Sequence, residues 1–247
     1  QAFFSMSIGW GIMITYGSYL PKSANIVSSG VWVGFMDAAV SLLAGFMIFP
    51  AVFAFGHDPA AGPALVFEVL PSVFNAMPGG AIIGGFFFLL LLVAALTSSV
   101  SMLEVPASYF MDEKKWNRKR SAWTVGAMLF IVGVPSALSK GGNDFFTEMS
   151  VQMPWMDAPA VGFQDILDYF FGTFFIVVVA LVTCIYVAWK VGADKIVAEL
   201  AEGSDKFKPG ALKAKGFVFF IKYVCPLVIL AVLLNMLGVF GMFAGGG

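Results

Sequence analysis

Long runs without charge dominate the pattern of this 247-residue chain. A helix needs about 20 largely apolar residues to cross a bilayer, and six stretches come close to or exceed that length. These stretches are 1–21, 23–57 (interrupted only by Asp37), 69–103, 121–139, 169–189 and 223–247. The pattern predicts an all-α polytopic membrane protein that forms a single transmembrane domain over residues 1–247. The six predicted helices cover about 1–20, 25–55, 81–112, 121–139, 165–189 and 216–243.

Two longer connections separate these predicted helices. The segment 57–80 is rich in proline and glycine but keeps several apolar residues. It is predicted to be an extracellular lid loop, either as short helices over the membrane or a vestibule, or as a plain interfacial loop. The segment 190–215 is polar and rich in lysine, which predicts a cytoplasmic loop with an amphipathic helix near 194–202.

The first apolar stretch has a pattern that interrupts a helix. Ser5, Ser7, Gly9 and Gly11 fall at every second position, and each glycine costs a helix about 1 kcal/mol relative to alanine. Lipid offers no hydrogen-bond partner to the backbone groups that such a break frees. An interrupted helix at membrane depth is therefore tolerated mainly where it lines a cavity, so this stretch predicts a binding site.

The positive charges predict the orientation of the chain. With helices that alternate in direction, 13 of the 14 Lys and Arg residues fall on one side and only Lys140 falls on the other. Because cytoplasmic loops carry the excess of positive charge, the first residue is predicted to face the extracellular side, and so is the C-terminus. The basic run 114–120 could bind nucleic acid or anionic lipid, but topology explains it directly, so no nucleic-acid partner is expected.

Composition argues against an enzyme. Charged residues make up 12% of the chain and hydrophobic residues 60%, whereas soluble domains carry about 25% charge. His57 is the only histidine, and Cys184 and Cys225 lie in separate apolar stretches without a pairing motif. The sequence contains no catalytic triad, no metal-binding cluster and no phosphate-binding loop.

Asp37 is the most informative single residue. It lies some twelve residues into its predicted helix, about 18 Å along it, which is near the middle of a ~30 Å hydrocarbon core. A carboxylate at that depth costs at least ~2.5 kcal/mol and normally faces a partner. A bound cation, a proton or a basic group on another helix would each satisfy Asp37.

A second candidate site lies on the third predicted helix. Ala94, Thr97 and Ser98 are spaced i, i+3, i+4 and share one helical face. Two hydroxyls and a carbonyl offer neutral oxygen ligands of the kind that suit Na⁺. Hydroxyls in membrane helices also bond commonly to their own backbone or to a neighbouring helix, so both readings stay open. Glu104 is a second acid within the same helix.

These motifs together resemble the neurotransmitter:sodium symporter family, which includes bacterial amino-acid transporters such as the leucine transporter and animal monoamine and GABA carriers. The resemblance rests on AFFSMSIGWGIMITYGSY (2–19), ALTSSVSM (95–102) and GADK (192–195), supported by GPALVFEVLP (62–71). It covers nearly the whole chain as the C-terminal half, family helices six to eleven. It implies the second half of an inverted-repeat (5+5) fold with a discontinuous first helix.

The resemblance also implies roles for individual residues. Sodium site 1 would use Ser5 and Asp37, and sodium site 2 would use Ala94, Thr97 and Ser98. The gates would use Tyr19 and Asp112 on the inside and Asp168 on the outside. The substrate site would use Phe4 as an aromatic lid, together with Ser5, Ser7, Gly9, Trp10, Ser98 and Met102.

Two positions depart from the family pattern. Asp37 stands where the family commonly has Asn, and its added negative charge beside the first ion predicts that chloride is not required. Ser41 stands where animal members have a hydroxyl that coordinates chloride, which leaves that prediction open. Trp10 is bulky and should narrow the pocket.

The leading hypothesis is sodium-coupled symport of neutral, apolar amino acids by alternating access in the plasma (inner) membrane. Two Na⁺ ions, the amino acid, the lipid bilayer and an N-terminal half (family helices one to five) would be the partners. The chain begins with Gln1 inside an apolar stretch, so we expect that half to lie upstream. A non-transporting scaffold or receptor-like protein of the same fold is the alternative, and a channel is the third possibility.

Overall fold

The computed structural model describes residues 2–56, 65–156, 159–204 and 212–239, and these residues are almost entirely helical. They form two compact units, one comprising Val31–Ser101 and the other comprising the described residues outside that range. The helices are α1 Ala2–Ser5, α2 Ile12–Ser18, α3 Ile26–Ala54, α4 Leu65–Ala76, α5 Gly80–Lys114, α6 Arg118–Leu138, α7 Asp144–Thr147, α8 Phe163–Gly192, α9 Ala193–Glu202 and α10 Leu212–Met236.

Five of the described helices, α3, α5, α6, α8 and α10, are long and apolar enough to cross a membrane. Each overlaps one of the stretches that the charge pattern indicates for residues 25–55, 81–112, 121–139, 165–189 and 216–243. The last stretch extends beyond residue 239, where its end lies outside the described residues. The sixth stretch, 1–20, is divided into α1, a single turn at Ile8–Trp10 and α2.

The connections contain helices of their own. Within 57–80, residues 65–76 form α4, and the earlier part of the predicted lid loop lies outside the described residues. Within 190–215, α9 begins after Gly192, whose φ of +92° ends α8. Between α7 and α8, Ser150–Val151 (β1) pairs with Ala160–Val161 (β2) as a short antiparallel hairpin.

Local chemistry fixes the turn between α5 and α6. Lys115 adopts a φ of +54°, which reverses the chain after α5. Asn117 then caps α6, because its side-chain oxygen accepts a hydrogen bond from the Arg120 backbone N–H at 2.8 Å. Such a cap satisfies one of the N–H groups that every helix start leaves unpaired. The turn thereby returns the start of α6 towards the last turns of α5.

Several helices contain wide turns in which the hydrogen bonds reach back five residues. They occupy Leu65–Val69, Asp168–Phe174, Tyr186–Gly192 and Phe220–Val224. In α10 the wide turn ends two residues before Pro226, which has no N–H to donate, and the Cys225 N–H bonds to the Phe220 carbonyl five residues back. Proline is thus the local cause of the wide turn in α10.

The buried core is small, and most apolar side chains face outward. In the larger unit Ile176, Val177 and Ile229 join α8 to α10, and in Val31–Ser101 the buried cluster is Val52, Val69 and Val73. By contrast, Phe46 is 75% exposed and Phe130 is 72% exposed. Apolar exposure on this scale fits helices whose surroundings are lipid.

Candidate functional site

The break in the first segment is built from two left-handed residues. Ser7 has a φ of +54° and Gly11 a φ of +76°, and they enclose the single turn Ile8–Trp10. Glycine adopts this conformation freely, whereas for serine it is uncommon. Residues held in such conformations cluster at ligand sites because the surrounding structure must stabilise them. The break therefore lies where the serine and glycine spacing predicts it.

Gly9 brings this break into close contact with α8. A Cβ atom at Gly9 would lie 2.2 Å from the Ile176 carbonyl oxygen and 2.5 Å from Ile176 Cγ1. Only glycine allows the two backbones to approach this closely. Ile176 is itself 4% exposed, and Phe3 and Trp10 pack around it. The absence of a side chain at Gly9 thus fixes the position of the broken segment on α8.

Two cavities adjoin this contact in the same unit. The first, of about 490 Å³, is lined by Gly9, Trp10, Asp168 and the aromatic rings of Phe171 and Phe175, among others. The second, of about 430 Å³, has Phe3 and Phe4 on one side and also reaches Asp168. The rings of Phe4 and Trp10 meet edge to face, with centroids 5.5 Å apart.

Polar groups are few in these cavities. Asp168 lies over Gly172, where a Cβ would come within 2.5 Å of its carboxylate oxygen. The Trp10 indole N–H is buried and has no hydrogen-bond partner among the described residues. Buried donors are nearly always paired, so this N–H is an exception within the described residues. The two cavities combine largely apolar walls with three polar residues, Asp168, Gln164 and Thr173.

A polar cluster occupies the far end of the first segment. The Tyr19 hydroxyl donates a hydrogen bond to Glu104 Oε1 at 2.9 Å, and an Arg118 guanidinium nitrogen donates to Glu104 Oε2 at 2.8 Å. Glu104 is only 6% exposed, whereas the Arg118 side chain is 70% exposed. The sequence indicates Glu104 as an intramembrane acid but predicts neither of its partners.

The other predicted gate residue of this end, Asp112, is exposed at the end of α5. Met102 is 38% exposed, two residues before Glu104. Ser5 is the last residue of α1, directly before the break, and is also exposed. These residues share the larger unit with Phe4, Gly9 and Trp10.

The remaining predicted ion ligands belong to the unit Val31–Ser101. Asp37 is half-buried in α3, and Ala94, Thr97 and Ser98 are exposed along α5. Thr97 Oγ1 donates to the Ala94 carbonyl at 2.8 Å. This hydrogen bond is the one expected if the hydroxyls only bond to their own backbone. It uses the hydroxyl proton alone, so the oxygen lone pairs remain able to coordinate a cation. Within the described residues no group of three or more His, Cys, Asp or Glu could hold a metal ion.

Comparisons with known proteins identify the family of the chain. The profile described as the sodium:neurotransmitter symporter family matches residues 1–242. The uncharacterized sodium-dependent transporter YhdH of Bacillus subtilis is 38% identical over 97% of this chain and 50% of its own length. An uncharacterized sodium-dependent transporter of Haemophilus influenzae is 33% identical over 96% of this chain and 49% of its own length.

A solved structure gives the same result for the fold. The crystal structure of MhsT in complex with L-phenylalanine superposes with a TM-score of 0.84 at 36% identity, covering 95% of this chain and 50% of MhsT. The chain spans about half the length of the relatives it matches. The helices, the broken segment and these matches identify an integral, multi-pass membrane protein whose relatives are sodium-dependent transporters and not enzymes. The chain therefore belongs to the sodium:neurotransmitter symporter family.

Proposed function

We propose that this chain supplies the second half of a transporter that couples Na⁺ entry to the uptake of a neutral, apolar amino acid by alternating access. The observation that carries the proposal is the aromatic cavity beside the broken segment, where Gly9 contacts α8. Broken helices with binding groups at their ends are a general feature of secondary transporters. The first half of the inverted repeat, family helices one to five, would come from an upstream segment.

The cavity walls favour an apolar substrate. Trp10, Phe171 and Phe175 present rings to the space beside Gly9, and Asp168 is its one acidic group. An apolar side chain gains stability from burial against such rings, while a charged side chain would lose its hydration. The similar structure, MhsT, is bound to L-phenylalanine. Polar backbone groups at the break would bind the amino and carboxylate groups of the substrate, and they belong to Ser5, Ser7 and Gly9. Phe4 would be the lid, and Ser98 and Met102 would complete the site.

Two sodium ions would organise this pocket. Ser5 and Asp37 would bind the first ion, and Ala94, Thr97 and Ser98 the second. A ligand shifts a conformational equilibrium only by binding one state better than another, and ions that complete the pocket would favour closure over substrate. Each positive charge moved through the membrane field adds about 2.3 kcal/mol per 100 mV. Tyr19 with Asp112 would close the inner side, and Asp168 would close the outer side.

Uptake into vesicles tests the proposal. The complete transporter, reconstituted with this chain and with its first half, should accumulate radiolabelled phenylalanine or leucine under an inward Na⁺ gradient. Replacement of external Na⁺ by choline should abolish accumulation, and lysine should not compete. Binding of the amino acid without accumulation would favour the scaffold or receptor-like alternative. Steady currents without substrate would favour a channel.

The role of Asp37 has a separate test. If its carboxylate supplies the negative charge beside the first sodium ion, transport by the native protein should be unaffected when chloride is replaced by gluconate. Asp37→Asn removes that charge and should weaken transport or make it dependent on chloride. Ser41→Ala is the control, because it removes the hydroxyl that coordinates chloride in animal relatives and should leave chloride independence intact. Chloride-dependent native transport would refute this role.

A further inference from the structure

An apolar groove of about 400 Å³ lies between α8 and α10, away from the broken segment. Leu181, Ile185 and Trp189 line it at intervals of four residues, which places them on one face of α8 along about 12 Å of helix. The opposite wall belongs to α10 and includes Lys222, Tyr223 and Leu227.

The two helices run in opposite directions along this groove. Ile176 and Val177 of α8 pack on Ile229 of α10, whereas Cys184 Sγ, further along α8, contacts the Ile221 carbonyl at 3.5 Å. Higher residue numbers on α8 therefore face lower numbers on α10. One end of the groove consequently holds Trp189, Lys222 and Tyr223, and the other end is entirely aliphatic.

The polar end coincides with the edge of the apolar stretches. Trp189 is followed by Lys190, and Lys222 directly precedes the charge-free stretch that begins at residue 223. Trp and Tyr concentrate at the membrane–water interface, and lysine extends its ammonium towards it. This end therefore lies at headgroup level, on the side to which the sequence assigns 13 of the 14 basic residues.

Lys222 provides a cation for this end of the groove. Its side chain is half-buried, with the ammonium 5.8 Å from the centroid of the Tyr223 ring. Neither the Arg118–Glu104 pair nor the Lys140–Asp165 pair involves Lys222, and among the described residues no carboxylate is shown to pair with it. A half-buried ammonium beside an apolar groove favours an anion that carries its own apolar chain.

We propose that this groove binds an anionic phospholipid of the inner leaflet. The lipid phosphate accepts hydrogen bonds from the Lys222 ammonium at headgroup level, and one acyl chain follows Ile185, Leu181 and Leu227 into the membrane. The two ends of the groove favour this occupant, because the Lys222 ammonium suits a phosphate and the aliphatic residues suit an acyl chain. Basic pockets between membrane helices on the cytoplasmic side bind such headgroups in general.

Native mass spectrometry of the delipidated complete transporter tests this proposal. Phosphatidylglycerol and phosphatidylcholine with identical acyl chains are titrated separately. The native protein should retain phosphatidylglycerol in preference to phosphatidylcholine. Lys222→Gln should weaken phosphatidylglycerol binding about fivefold, the factor for one lysine near an anionic surface. Lys215→Gln, an exposed lysine on α10 outside the groove, is the matched control and should change binding little.

A second pair of variants tests the acyl-chain part of the groove. Leu227→Trp fills it and should reduce retention of both lipids, whereas Val228→Trp, its exposed neighbour outside the lining, should not. Equal retention of the two lipids by the native protein overturns the proposal. The proposal is also overturned if the two lysine variants have equal effects or if the two tryptophan variants do. It fails as well if a protein segment fills the groove and no lipid is retained.

Discussion

The break in the first segment, at Gly9, and the far end of that segment, at Tyr19, are fixed to their neighbours in opposite ways. At Gly9 the backbone lies against the Ile176 carbonyl so closely that a single methyl group would not fit. At Tyr19 the contact consists of hydrogen bonds to a buried carboxylate, Glu104, which Arg118 also binds. The break is held by close packing of the two backbones, and the far end is held by hydrogen bonds to a charged group.

This difference indicates which of the two contacts can open. The packed backbone contact between Gly9 and Ile176 cannot open by small steps, because closely packed interiors resist small displacements. The Arg118 side chain is 70% exposed, so water reaches the guanidinium, and its hydrogen bond to Glu104 can exchange more readily than a packed backbone contact can separate. We therefore expect the contact at Gly9 to persist while the contact at Tyr19 opens and closes.

The largest effect is expected at Gly9. Gly9→Ala places its Cβ on the Ile176 backbone and should lower the free energy of unfolding by about 3 kcal/mol, the upper part of the range for overpacking. Gly17→Ala is the matched control in the same segment, since nothing lies within 4 Å of its Cβ position. Alanine there should stabilise helix α2 by up to about 1 kcal/mol. Denaturant unfolding in detergent measures both, and equal stability of the two variants would contradict the close packing at Gly9.

An intermediate effect is expected at the charged end. Arg118→Ala leaves the buried Glu104 carboxylate with Tyr19 as its remaining described partner. Loss of one partner of a fully buried pair costs about 3–5 kcal/mol, but the exposure of Arg118 reduces this, so we expect about 1–2 kcal/mol. Lys119→Ala removes a neighbouring exposed charge and should change stability by less than about 0.5 kcal/mol. If both variants melt alike in detergent, the Glu104 contact contributes nothing to stability.

The smallest effect on stability is expected at a solvent-exposed ion pair. Lys140 Nζ lies 2.7 Å from Asp165 Oδ1, but the two side chains are 54% and 51% exposed. Lys140→Ala should cost about 0.5 kcal/mol or less, and the cost should vanish near 1 M choline chloride because salt screens exposed charges. Unfolding at low and high choline chloride measures it. A cost as large as that of Arg118→Ala would show that burial does not separate the two pairs.

The sequence predicts features that depend on local pattern. Spanning helices need apolar runs, so the charge-free stretches locate α3, α5, α6, α8 and α10. The break needs residues that leave the helical conformation, so Ser7 and Gly11 mark it before any coordinates are known. The roles of Asp37, Thr97 and Ser98 as ion ligands stay predictions.

Contacts between distant parts of the chain lie outside what such patterns contain. Nothing in the sequence pairs Gly9 with Ile176, which is far along the chain. Arg118 reaches Glu104 only because Lys115 takes a left-handed turn and Asn117 caps α6. Lysine rarely adopts that conformation, so the turn has no sequence signal. For the region of α4 the sequence leaves short helices and a loop both open, because proline and glycine fit either structure.

The wide turns of α8 and α10 also determine where homologous chains can gain or lose a residue within a helix. A five-residue hydrogen-bond step contains one residue more than an ordinary helical step. A single-residue insertion or deletion within Tyr186–Gly192 or Phe220–Val224 can therefore be absorbed by widening or closing that turn. The helix beyond it keeps the same faces towards its neighbours. These two segments are where homologous chains can differ by one residue while the rest of each helix stays in register.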